Sequence, residues 1–244
     1  MKVGVIGGNG VAATNRLCDM VERKVTLAGA FRDAHHPEMV VWQATSVPSR
    51  SMFLEGRGPD WRPDYIRIAK ALKSLGCDVC CMCCNTAHYA VADIEGASGI
   101  KFINLLEEVA ARVAAEGLGK IELWVSDGAR KFDIYGPVMR RMAPGCEVVY
   151  PSAERQAEVT KIICAVKTRA RLLDRNDVDH PRKMVQRLLA ASAAPVVFGC
   201  TDIRTAYGAD EALDEDVGLD SLEILADAIV ARHGSIAEDR QWGQ

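Results

Sequence analysis

No stretch of the 244 residues stays apolar for the ~18 to 20 positions that a bilayer span requires. Blocks of like charge, low-complexity tracts and long linkers are also missing, and the net charge is only -3. Without a basic patch or polybasic segment, neither nucleic acid nor a membrane is an expected partner. The opening MKVGVIGGNG is too short and too glycine-rich for a signal-peptide core, so the expected compartment is the cytoplasm.

What the chain does have is cysteine. There are nine, with six in the first 84 residues. An odd, clustered set is a poor disulfide framework for a chain of this size, so reduced thiols are expected, most of them packed as small hydrophobes. Residues 79–89 read VCCMCCNTAHY: an apolar run of strand length ends in Cys84-Asn85-Thr86-Ala87-His88, where a helix start is expected. A thiol at the mouth of a buried strand and beside a helix N-terminus sits where its thiolate is favoured. Residues 196–203, VVFGCTDI, repeat the pattern around Cys200. Together the two runs predict two lobes, each delivering one cysteine to a shared cleft.

A metal centre on Cys77, Cys80, Cys81, Cys83 and Cys84 is the competing reading. On a strand, side chains alternate faces, so Cys81 and Cys83 point away from Cys80 and Cys84 and four thiolates cannot converge on one ion. Packing is the better account for Cys77, Cys80, Cys81 and Cys83, and no metal is expected.

In chain order, residues 2–6 read as a strand, 7–10 as a glycine turn and 11–21 as a helix, which opens an α/β unit. The spacing Gly8-x-Gly10-x-x-Ala13 fits a loosened dinucleotide fingerprint, but no strand ending in an acid follows at the usual distance. The plainer reading is a turn whose backbone N–H groups approach a small anionic ligand, with Gly8 and Asn9 lining it. Residues 39–45 are the next strand, and Arg50 falls in a loop beyond its carboxyl end, the edge where open parallel sheets bind ligands. Residues 55–63 could form a lid with Trp61 as its latch. Helices are expected at 64–75, 105–116, 153–168, 181–191 and 219–232, and strands at 101–103, 121–125, 147–149 and 195–199. This alternation predicts an α/β fold of two similar lobes, mostly parallel sheets flanked by helices, with the active site in the inter-lobe cleft. Residues 1–98 with 207–244, including a returning C-terminal helix, form the first expected lobe and 99–206 the second; from Gly234 onward a polar tail is expected.

Ile6-Gly7-Gly8-x-Gly10, Cys84-Asn85-Thr86-Ala87-His88 and Gly199-Cys200-Thr201-Asp202, in that order, resemble the aspartate/glutamate racemase family, whose members work without pyridoxal phosphate. Val47-Pro48-Ser49-Arg50 is similar to that family's proline–arginine loop. The resemblance implies a cofactor-independent amino-acid racemase of the aspartate/glutamate type, usually a homodimer, acting on a small amino acid or dicarboxylate. It carries the two catalytic cysteines to Cys84 and Cys200. Substrate ligands are carried to Asn85, Thr86 and Thr201, and the loop arginine to Arg50. The lysine that meets a distal carboxylate maps to Lys167, with Lys161 as rival. Asp202 either orients Cys200, binds the substrate amine or caps the following helix. The chain departs from the family at Asn9 and Val11, at Ser49, at Ser126-Asp127-Gly128-Ala129, and at Asp202, where glutamate racemases carry histidine. A maleate isomerase, a hydantoin racemase and a non-catalytic small-acid-binding module are the alternatives.

Overall fold

Lys2–Gly7 is short, β-branched and buried over most of its length, and it forms β1 at the centre of a parallel sheet. The computed structural model describes residues 1–208, 211, 213 and 217–234, so the expected polar tail beyond Gly234 lies outside the described residues. After β1 come α1 (Val11–Leu27), β2 (Glu38–Gln43), α2 (Arg50–Leu54), α3 (Arg62–Ser74), β3 (Val79–Met82), α4 (Val91–Ser98) and α5 (Leu105–Ala115). The second half holds β4 (Lys120–Trp124), α6 (Asp127–Lys131), α7 (Gly136–Met142), β5 (Glu147–Val149), α8 (Ala153–Ala165), α9 (Pro181–Leu189), β6 (Val196–Phe198), β7 (Val217–Asp220) and α10 (Ser221–His233).

Two sheets result, ordered β2-β1-β3 and β5-β4-β6-β7, with every pairing parallel. Both are flanked by helices, as the alternating pattern requires. Two segments pair across the expected division of the chain. Residues 101–103 join the first sheet: Cys80 N–H donates to Lys101 O at 2.8 Å and Ile103 N–H to Cys80 O at 2.8 Å. β7, expected as the start of the last helix, instead pairs with β6, so the second sheet continues to Asp220. There the Asp220 carboxylate accepts from Leu222 N–H at 3.0 Å and caps α10.

α10 packs against α1 and also on α5. Helix α1 runs a turn and a half past the expected residue 21, because its polar end is held from outside: Lys24 meets Asp227 of α10 at 2.7 Å. Along these helices lies one core shared by both sheets. Val3, Val5 and Cys81 enter it from the first, and Ile121, Leu123 and Val197 from the second. The outer face of the first sheet is closed by α3 and α4, that of the second by α8 and α9. Cys80 and Met82 pack in the outer cluster, Cys81 and Cys83 in the shared one, so the strand alternates faces as read. Trp61 is no latch: fully buried at the start of α3, it packs edge-on against Tyr65 at 4.8 Å. Among the described residues no helix is long and apolar enough to cross a membrane.

Candidate active site

Parallel strands put all their carboxyl ends on one edge, and every expected site residue except Lys167, which follows α8, comes after such an end. Gly8 and Asn9 follow β1, Arg50 follows β2, Cys84 to Thr86 follow β3, and Cys200 to Asp202 follow β6. The two edges are stitched together. Thr201 donates its hydroxyl to Cys83 O at 2.9 Å, Thr86 and Ser126 share a bond of 2.9 Å, and Gly128 N–H donates to Ser51 Oγ at 3.0 Å. The first bond matters most. It joins the residue after Cys200 to the residue before Cys84, so the cysteines are seated across the seam, near enough that the charge of one opposes ionisation of the other.

The surroundings of the two sulfurs differ. Arg50 does not lie in a loop; it opens α2, where Ser49 accepts from Met52 N–H at 3.4 Å as N-cap. Its guanidinium donates to Pro48 O at 2.9 Å and Asn9 O at 3.4 Å, and its buried Nε has no partner among the described residues. Burial is the largest influence on Arg50 and works against its charge, but Cys84, Tyr65 and Asp202 together outweigh it and raise its pKa. Cys200 is pushed up to about 12, first by burial and then by the Asp202 carboxylate, with Lys167 pulling the other way.

Lys167 Nζ meets Asp202 Oδ2 at 2.8 Å, an ion pair that is half exposed at the lysine (50%) and buried at the aspartate (6%). Lys161 is spent on surface Glu158 at 2.5 Å, so Lys167 is the lysine at the site. The capping reading of Asp202 fails, since its side chain makes no cap bond to the turn that follows. Its Oδ1 instead lies against Gly10, at the start of α1, only 2.1 Å from where a Cβ would stand. A carboxylate there suits the positive end of α1 and repels a phosphate, so the glycine turn is not a nucleotide site. Nor is Gly8 N–H offered to an anionic ligand, because Thr14 Oγ1 accepts it at 3.0 Å.

Asn85 is locked. Tyr135 Oη donates to its Oδ1 at 2.5 Å and its Nδ2 donates to Ser221 Oγ at 3.0 Å, which leaves one amide N–H. Asn9 Nδ2 donates to Tyr65 Oη, and its buried Oδ1 has no partner among the described residues. His88 is structural: its Nδ1 is bonded to Cys84 O at 2.9 Å, Leu105 N–H donates to Nε2 at 3.1 Å, and burial lowers its pKa to about 4. The sequence reading missed Tyr135, Ser221 and Tyr65, which the core pattern absorbs; Ser126 stood in the noted departure after β4. A cavity of about 640 Å³ opens beside Gly8, Asn9, Arg50, Lys167 and Asp202 and runs along α1 past Asn15.

A profile of the Asp/Glu/hydantoin racemase family matches residues 4–229. The broad-specificity amino-acid racemase of Bacillus subtilis (strain 168) is 24% identical over 238 residues, covering 95% of this chain and 97% of that protein. Among solved structures, the aspartate racemase of Picrophilus torridus superposes with a TM-score of 0.77 at 23% identity, covering 96% of this chain and 94% of that one. A glutamate racemase from Bacillus anthracis superposes with a TM-score of 0.61 at 15% identity, covering 96% and 83%.

Proposed function

The chain belongs to the Asp/Glu/hydantoin racemase family, and from that premise we propose that it is a cofactor-independent amino-acid racemase whose Cys84 and Cys200 work on opposite faces of the substrate α-carbon. The observation that supports this reading is the Thr201–Cys83 bond, which joins the residue after Cys200 to the residue before Cys84 at the carboxyl edges of the two sheets.

Inverting an α-carbon means removing its proton on one face and supplying one on the other. The two sulfurs suit that division. Cys200, pushed up to about 12, is the thiol of the resting site. Cys84 lies beside the Arg50 guanidinium and is assigned the role of base. In one direction the Cys84 thiolate takes the α-proton, and the electron pair left on carbon takes the proton of Cys200. The product leaves Cys84 as thiol and Cys200 as thiolate, and the reverse reaction starts from that state with Lys167 supporting the charge. Each proton transfer by a positioned group contributes about 10²- to 10⁴-fold.

The remaining polar groups hold the amino acid. The free Nε of Arg50 and the last N–H of Asn85 bind the α-carboxylate and stabilise the charge that spreads into it as the proton leaves. Asn9 Oδ1 accepts from the α-ammonium. Thr86 and Thr201, whose hydroxyls are bonded to Ser126 and to Cys83 O, position the cysteines. The same proposal has the protein acting in the cytoplasm as a homodimer, as the family resemblance implies. The reading is tested by incubating single enantiomers of the common amino acids with the protein in D2O, with no cofactor added. It predicts loss of optical activity with one deuterium gained at the α-carbon; ligand-induced stabilisation without exchange would mark a binding module instead.

A further inference from the structure

The cavity is far larger than a four-carbon amino acid fills, and the cations nearest the sulfurs are already engaged. Arg50 serves Cys84 and the α-carboxylate. Lys167, the lysine that would reach a carboxylate on a short side chain, is held by Asp202 at 2.8 Å. Asp202 cannot readily withdraw, because it is buried and its other oxygen is packed against Gly10.

Building on the racemase reading, we infer that this site selects amino acids whose side chain carries no carboxylate, with the Lys167–Asp202 pair as the specificity-determining element. A substrate β- or γ-carboxylate would have to share one ammonium with Asp202. Two carboxylates would then face each other in a site that water leaves, and like charges so placed resist ionisation together. Arg16 donates to Tyr207 O at 3.3 Å, and Arg171 stands exposed at the rim, where solvent screens it. An uncharged side chain avoids the repulsion and extends along α1, past Ala12 and Asn15, into the open part of the cavity. The assignment reverses the expectation of an acidic substrate, which required Lys167 to be free.

Isosteric pairs test it. Turnover of L-glutamine against L-glutamate, and of L-asparagine against L-aspartate, compares an amide with a carboxylate of the same shape. The expected result is a kcat/KM at least tenfold higher for the amide in each pair, a ratio that falls at least tenfold in Asp202→Asn as Lys167 is released. Acids turned over as well as their amides by the wild-type protein would overturn the inference. So would an unchanged ratio in a folded Asp202→Asn. The wild-type ratio decides if that variant does not fold. Calorimetric titration of the same four amino acids separates the two claims. If no α-proton exchanges, the racemase reading falls, while tighter binding of the amides still upholds the selectivity and tighter binding of the acids removes it.

Discussion

Tyr135 carries no charge and touches no substrate in this account, yet it decides what Asn85 can do. Its hydroxyl occupies the amide oxygen and leaves Asn85 with one N–H to offer. Tyr135→Phe leaves a buried carbonyl oxygen unpaired, at about 1 to 3 kcal/mol of stability. It also lets the amide turn, and the loss of about 1.4 kcal/mol of carboxylate binding appears as a KM about tenfold higher. An unchanged KM would show that Asn85 is not a ligand. His88 gives a second residue-scale prediction. Because burial lowers its pKa to about 4, the folded protein takes up this proton later than the unfolded chain does. Its contribution to stability is therefore complete above the ordinary value of 6.5 and is lost as pH falls toward 4, by about 3 kcal/mol in all. Nitrogen chemical shifts should report a neutral His88 ring at pH 5; an imidazolium there would contradict the structural role.

At the scale of elements, the site depends on how α1 starts. Gly8 has φ of 76°, and a Cβ there would stand 2.4 Å from Ala44 N, a backbone atom with nowhere to move. Left-handed backbone alone costs a residue with a Cβ about 1 to 2 kcal/mol. Gly8→Ala is thus expected to lose more than about 2 kcal/mol in urea unfolding; a change below about 0.5 kcal/mol would show that the turn is not constrained. The glycine turn, the two cysteine runs and most helices were legible because period and punctuation are local. α2, α6, α7 and β7 were not. α2 and α6 are five residues long and β7 is four, too short to show a period, and β7 exists only because β6 offers it an edge. Ser49 and Ser126, which cap α2 and α6, were the signals available.

Across the whole molecule there are two sheets, and two segments pair across the division of the chain that the sequence suggested. Strand pairing is a long-range choice: residues 101–103 and β7 each join the sheet whose edge is open to them. The Lys167–Asp202 pair was equally hidden, since it joins residues 35 positions apart. Both halves share one core through α1, α5 and α10, so the joined edges at the seam are held by the packing behind them. The proposed homodimer should sediment at about twice the 26.5 kDa of one chain; a single-chain mass at micromolar concentration would contradict it. The racemase account rests on sulfurs that act as a pair. Its most direct test follows α-deuterium exchange and racemisation of each enantiomer by wild type, Cys84→Ser, Cys200→Ser and Cys81→Ser. Both site variants should lose racemisation by at least about 100-fold while Cys81→Ser stays near wild type; full racemisation by either site variant would contradict the two-cysteine mechanism.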